Sequence, residues 1–134
     1  MRVVYDKSEL WDSIIGAQNE AKLAFGNDEV FIEKYLKKPR HIEIQIFGDG
    51  KGKVVHLYSR DCSLQRKYQK IVEEAPAKNL NQKKLNEIQN ICVKACSELK
   101  YKGAGTLEFL YENNEFFFIE TVSYTHLRAH ETIH

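Results

Sequence analysis

The feature that most constrains the fold is the run His41-Ile42-Glu43-Ile44-Gln45-Ile46-Phe47. Polar and apolar residues alternate with period two, which suits a strand and not a helix. Ile42, Ile44 and Ile46 fall on one face; His41, Glu43 and Gln45 fall on the other. Lys37-Lys38-Pro39 breaks the chain before this run. Gly48-Asp49-Gly50-Lys51-Gly52 turns it, and Val54-Val55-His56-Leu57-Tyr58 returns, so the segment predicts a β-hairpin.

Two helical patterns flank the hairpin. Asp6-Lys7-Ser8-Glu9 reads as a helix start, with Asp6 accepting from free backbone N–H groups and Glu9 bonding back in capping-box fashion. Leu10, Trp11, Ile14, Ile15 and Ala21 follow at helical spacing until Gly26-Asn27-Asp28. Val30-Phe31-Ile32 is a short β-prone run leading into Glu33-Lys34-Tyr35-Leu36. The second helix is expected over about residues 82–99, with Leu85, Ile88, Cys92, Ala95 and Cys96 as its buried stripe and Lys102-Gly103-Ala104-Gly105 as its end. Residues 60–74 are polar and basic. Residues 106–111 and 116–120 read as strands around Glu112-Asn113-Asn114-Glu115. Helix, strands, helix, strands, joined by hairpins, give an α+β class: an antiparallel sheet with two packing helices.

Composition narrows the function classes. With 134 residues, 43% hydrophobic and 29% charged, the chain fits one domain or a large piece of one, not a disordered or collagen-like chain. No apolar run approaches the roughly 20 residues a membrane span needs. No apolar leader follows Met1. The net charge of +1 gives no general pull toward nucleic acid or an anionic membrane, so neither is expected as a partner. Cys92 and Cys96 sit one helical turn apart, Cys62 stands alone, and no C-x-x-C occurs. These are expected to be free thiols in a reducing cytosol, which makes a cytoplasmic location the expectation.

Four constellations can carry chemistry. Glu108 and Glu120 each interrupt an apolar strand of one hairpin. A two-residue turn at Asn113-Asn114 sets Glu108 opposite Ile119 and the carboxylates on opposite faces. A three-residue loop sets Glu108 opposite Glu120 on one face. Such a pair suits a hard divalent cation, Mg²⁺ or Mn²⁺; the alternative is two solvent-facing glutamates. Gln65-Arg66-Lys67-Tyr68-Gln69-Lys70 can grip phosphates or form a solvated face. Glu33-Lys34-Tyr35-Leu36 can offer backbone amides to an adenine edge. His126, His130 and His134 share helical spacing that imitates a zinc site.

Several strings together resemble the biotin carboxylase branch of the ATP-grasp enzymes: Glu33-Lys34-Tyr35-Leu36, Pro39-Arg40-His41-Ile42-Glu43-Ile44-Gln45, Arg60-Asp61-Cys62-Ser63-Leu64-Gln65-Arg66-Lys67-Tyr68-Gln69-Lys70, Glu73-Glu74-Ala75-Pro76, Gly103-Ala104-Gly105-Thr106-Leu107-Glu108-Phe109 and Phe118-Ile119-Glu120. They stand in family order and spacing over residues 1–120. The Arg-Asp-Cys-Ser string with Gln65 and Lys70 is specific to biotin carboxylase, whereas other ATP-grasp ligases share only the carboxylate pair. The resemblance implies the central portion of an ATP-grasp domain. It also implies a reaction in which ATP and bicarbonate make carboxyphosphate and the carboxyl group passes to biotin on a carrier protein. Glu33, Lys34, Tyr35 and Leu36 match the adenine-reading hinge. His41, Gln65 and Tyr68 match positions near the nucleotide. Lys70 matches the residue that holds bicarbonate and developing phosphate charge, and Glu108 and Glu120 match the glutamates that bridge Mg²⁺ to ATP.

The resemblance has departures. The family often carries His where Tyr68 stands. Its glycine-rich phosphate loop belongs just before Met1, so Met1 reads as an internal methionine. After Glu120 the family continues Met-Asn-Thr-Arg, whereas this chain reads Thr121-Val122-Ser123-Tyr124. Residues 121–134 are therefore expected to be a non-family, non-native, disordered tail, and the chain alone is expected to be inactive. The parent is expected to be a homodimeric cytosolic ligase, within an acetyl-CoA carboxylase or a related enzyme. Its partners are bicarbonate, biotin carboxyl carrier protein and a carboxyltransferase. The alternatives are another ATP-grasp carboxylate or carbamate ligase, or a non-catalytic nucleotide-binding module.

Overall fold

The computed structural model describes residues 2–67 and 69–124. The chain divides into two units, Met1–Lys37 and Lys38–His134. In the first, a 3₁₀ turn Lys7–Glu9 leads into α1, Leu10–Phe25. Asp6 caps the turn by accepting from the Ser8 N–H at 2.8 Å. Gly26 closes α1 in the left-handed conformation, φ 74°, with its N–H on the Lys22 carbonyl. Of the two helices expected to pack, this one has no buried residue. The run Val30-Phe31-Ile32 forms no strand, because a strand exists only with a paired ladder, and none forms there among the described residues.

The second unit is a five-stranded sheet in the order β3-β2-β1-β4-β5, with every pairing antiparallel. The strands are β1 Arg40–Asp49, β2 Val54–Arg66, β3 Gln69–Glu74, β4 Lys102–Glu112 and β5 Glu115–Tyr124. The stretch 60–74, read as a polar run, is the second half of β2 plus β3. A two-residue connection joins them, with Lys67 at φ 49°. β5 runs on through residues 121–124, where Leu107 pairs Thr121 and Ala104 pairs Tyr124, so those four residues are ordered strand rather than disordered tail. Residues 125–134, with His126, His130 and His134, lie outside the described residues.

One helix in this unit, α2 at Gln82–Glu98, covers one face of the sheet. Asn81 caps it by accepting from the Lys84 N–H at 3.1 Å. It ends earlier than its glycines suggest. Lys100 takes φ 50°, its N–H bonds the Ser97 carbonyl, and the Tyr101 N–H bonds the Cys96 carbonyl, so the Schellman closure is made by a lysine. Leu85, Cys92 and Cys96 pack on Ile44, Ile46, Val54, Leu107 and Phe109 to form the core. Ala95, expected in the buried stripe, is exposed, and Gln89 is buried instead. All three cysteines are free and buried. No described helix is long and apolar enough to cross a membrane.

The alternation of β1 then fixes the rest. With Ile44 and Ile46 turned to α2, Glu43 projects from the other face, and the β1–β4 register sets it directly opposite Glu108.

Candidate functional site

Glu43 and Glu108 are two carboxylates side by side and almost wholly buried, 1% and 4% exposed. Left alone they repel each other. Lys70 resolves this from β3: its Nζ donates to Glu43 Oε2 at 2.8 Å and to Glu108 Oε1 at 2.7 Å. Burial works to lower the Lys70 pKa, but the bonds to Glu108 and Glu43 outweigh it and hold the ammonium above its ordinary value. The strand order explains the reach. β2 lies between β1 and β3, and the β2–β3 register sets Lys70 opposite Gln65.

The second oxygen of each carboxylate has its own neighbour. Glu43 Oε1 accepts from Arg60 Nε at 2.9 Å and from the Cys62 thiol at 2.9 Å. Burial raises the Glu43 pKa, yet the bonds from Cys62, Lys70 and Arg60 together hold it below its ordinary value. The same environment pushes the Cys62 thiol up to about 12, first through burial and then through the Glu43 carboxylate. Arg60 also donates from Nη1 to Gln45 Oε1 at 3.0 Å. Glu108 Oε2 lies 2.7 Å from His41 Nε2, at an angle that forms no hydrogen bond. Gln65 Nε2 approaches His41 Nδ1 at 3.0 Å and donates to the Cys62 carbonyl at 2.9 Å.

Glu120 is exposed and stands directly opposite Glu108 in the β4–β5 register. The connection is the two-residue turn Asn113-Asn114, φ 53° and 63°, which pairs Glu112 with Glu115. That turn alone leads to Glu108 opposite Ile119. A register shift intervenes: Phe109 pairs Phe118, Glu108 pairs Glu120, and Ile119 is the extra residue of a β-bulge. Directly paired residues project from the same face, so both glutamates belong to the face that carries Lys70. The three-residue loop considered from spacing does not occur.

His41, Gln65, Lys70 and Glu108 thus converge on one face of the sheet. Glu33, Lys34, Tyr35 and Leu36 belong to the N-terminal unit; there the Tyr35 ring meets Tyr5 edge-on at 6.3 Å. Tyr68 lies outside the described residues. Sequence reasoning missed Glu43, Arg60 and Cys62 as members of the cluster. The signal existed: Glu43 follows His41 by two on the same strand face. His41, Glu43 and Glu108 bring one ligand atom each within 4.8 Å of one another; Glu120 joins no such trio among the described residues.

Residues 1–128 match the family model described as the ATP-binding domain of the carbamoyl-phosphate synthase L chain. The biotin carboxylase of Pseudomonas aeruginosa is 55% identical over 120 residues, covering 90% of this chain and 27% of that protein. Among solved structures, the biotin carboxylase domain of a thermophilic 2-oxoglutarate carboxylase bound to bicarbonate superposes with a TM-score of 0.86 at 39% identity, over 96% of this chain and 29% of that one. A Campylobacter jejuni biotin carboxylase in complex with β-γ-ATP gives a TM-score of 0.71 at 43% identity, over 97% and 29%. The chain therefore spans less than a third of the length of these relatives. With the five-stranded antiparallel sheet in agreement, the chain belongs to the family of the carbamoyl-phosphate synthase L chain ATP-binding domain, and its relatives there include biotin carboxylases and pyruvate carboxylases.

Proposed function

We propose that this chain is the central part of a biotin carboxylase ATP-grasp domain, residues 1–120, and that the sequence departs from the biotin carboxylase strings after Glu120, within a family match that runs to residue 128. In the reaction, bicarbonate oxygen attacks the γ-phosphorus of ATP, the bond to the bridging oxygen breaks, and ADP leaves. Carboxyphosphate then passes its carboxyl group to N1 of biotin on a carrier protein: the N1–C bond forms, the C–O bond to phosphate breaks, and inorganic phosphate leaves carrying the N1 proton. The observation that carries this reading is the double ion pair of Lys70 with Glu43 and Glu108. It supplies a fixed cation on a carboxylate-lined face beside His41 and Gln65, where bicarbonate and the transferring phosphoryl group need charge compensation. Glu43 and Glu108 hold the ammonium still, so its orientation is set before substrate arrives.

Glu108 and Glu120 suit a hard divalent cation: oxygen donors only, paired across one hairpin, with Glu108 Oε2 facing His41 Nε2 at 2.7 Å. Mg²⁺ or Mn²⁺ held there supplies charge neutralisation on the phosphate oxygens. His41, Gln65 and Tyr68 bind the nucleotide in this reading, and the Glu33–Leu36 backbone reads adenine. Bicarbonate, the biotin carrier protein and a carboxyltransferase are the partners, and the full-length enzyme is a cytoplasmic homodimer.

The test is a chimera: residues 2–120 of this chain replacing the corresponding segment of the Pseudomonas aeruginosa enzyme, assayed for ADP release. Release that needs both biotin and bicarbonate supports the proposal. Release that proceeds with ammonia or another acyl acceptor and ignores biotin assigns the chain to a different ATP-grasp ligase.

A further inference from the structure

Gln45 bonds neither Lys70 nor Glu108, yet three hydrogen bonds fix its carboxamide beside their cluster. Its Nε2 donates to the Gly105 carbonyl at 2.8 Å and to the Ile46 carbonyl at 3.2 Å, and its Oε1 accepts from Arg60 Nη1 at 3.0 Å. Carbonyls only accept and a guanidinium only donates, so one orientation of the amide satisfies all three. Both carbonyls belong to strand backbone, one in β4 and one in β1. The oxygen that Arg60 meets is therefore anchored to the middle of the sheet.

Arg60 needs that anchor, because two acids compete for it. It stands opposite Glu43 in the β1–β2 register, with Gln45 as its diagonal neighbour. Its Nε donates to Glu43 Oε1 at 2.9 Å, and Glu73 Oε2 lies 3.5 Å from the same nitrogen. A guanidinium is a rigid plane, so holding Nη1 on Gln45 fixes where Nε points, and it points to Glu43.

Glu43 passes this orientation on. Its Oε1 is held by Arg60 and by the Cys62 thiol, of which the thiol is the weak donor. The terminal torsion of a glutamate is broad, so the carboxylate turns easily once its charged donor leaves. Its Oε2 is one of the two oxygens that hold the Lys70 ammonium.

We propose that Gln45 and Arg60 are positioning residues for Lys70: the Gln45 oxygen aims the Arg60 guanidinium at Glu43 rather than Glu73, and Glu43 held in this way sets the direction of the ammonium. The consequence for turnover rests on the carboxylase reading; the consequence for the ammonium itself does not.

Two measurements test this. The first follows the Lys70 ammonium signal in the ¹⁵N-lysine-labelled 134-residue chain, assigned by its loss in Lys70→Met. The expected result is proton exchange with water about tenfold faster in Gln45→Leu and in Arg60→Met, about the factor that one net hydrogen bond is worth, with the backbone amide spectrum of the sheet retained. Gln45→Leu changes no charge, so it keeps the test open if Arg60→Met does not fold. The second uses the chimera with the Pseudomonas aeruginosa enzyme. There Gln45→Leu lowers kcat for biotin-dependent ADP release about tenfold, leaves the ATP dissociation constant within about threefold, and adds no further loss in a Lys70→Met background. Unchanged ammonium exchange in folded Gln45→Leu overturns the proposal. So does unchanged kcat in an active chimera, or a loss that multiplies with that of Lys70→Met. A wild-type chimera without biotin-dependent release refutes the carboxylase reading instead, and the ammonium signal then decides the positioning by itself.

Discussion

Glu108 lies directly opposite Glu120 although only two residues separate the paired ends Glu112 and Glu115. Counting back from that turn brings Glu108 to Ile119, and the two carboxylates would then point to opposite faces. The bulge at Ile119 absorbs the odd residue and returns Glu120 to the face of Glu108 and Lys70. The alignment of the two carboxylates thus rests on a turn and a bulge acting together.

The turn half of this relationship is testable. Asn113 and Asn114 both hold positive φ, as the type I′ hairpin turn requires, and an L-residue in that region bears strain of about 1–2 kcal/mol that asparagine reduces and glycine removes. Asn114→Gly is predicted to raise stability by up to about 1 kcal/mol, and Asn114→Val to lower it by about 1–2 kcal/mol. Denaturant midpoints of the three proteins measure both. A stabilising valine would show that the turn is not type I′.

Removing Glu43 leaves Lys70 with Glu108 alone and Arg60 with only Gln45 and, at 3.5 Å, Glu73. Breaking a buried pair costs about 3–5 kcal/mol, and because Lys70 and Arg60 keep about a quarter of their side-chain surface in water, the lower end applies: Glu43→Ala is predicted to cost about 3 kcal/mol. The pH dependence follows from the lowered Glu43 pKa. A carboxyl held below its unfolded value contributes its full stability above that value and loses it as pH falls through the native pKa. Between about pH 3 and 6, wild-type stability should therefore fall with acid more steeply than that of Glu43→Gln. Parallel profiles would mean that Glu43 is not ionised in the native state.

The three thiols should be silent. Cys62 and Cys92 are pushed up to about 12 by burial first, and burial raises Cys96 as well. At about pH 8 a thiol with a pKa near 12 is thiolate in roughly one molecule in ten thousand. Iodoacetamide at that pH should label none of them in the folded chain and all three in denaturant, as mass spectrometry reads directly. Labelling of Cys62 in the folded chain would place it at the surface.

The parts of this fold that were legible in the sequence are those where hydrophobic pattern and burial coincide. The isoleucines of β1 and the Leu85, Cys92 and Cys96 stripe of α2 declare themselves because each meets an apolar neighbour. β3 hides, since its two apolar residues, Ile71 and Val72, are adjacent rather than alternating and both stay exposed. Glu43 hides for another reason: on an alternating strand a glutamate reads as solvent-facing, and its burial depends on Lys70 and Arg60, distant in sequence. The exchange of Ala95 for Gln89 in the α2 interface is a rotation of the buried stripe that tertiary packing decides. A bulge has no signature in residue spacing, so the Glu108–Glu120 pairing was reachable only through the wrong loop. The family strings single out His41, Gln65 and Lys70 without any packing signal, and the roles they imply rest on that resemblance.

The most direct test of the central claim, that Lys70 acts on charge developing during phosphoryl transfer, is the split between turnover and ATP affinity in Lys70→Met of the active chimera. A cation that acts mainly in the transition state changes kcat, and losing one preorganised group of this kind costs about 10²–10³ in rate. The account predicts biotin-dependent ADP release reduced by about that factor, with the ATP dissociation constant within about threefold of wild type. Unchanged kcat with weakened ATP binding would contradict it and reduce Lys70 to a nucleotide contact.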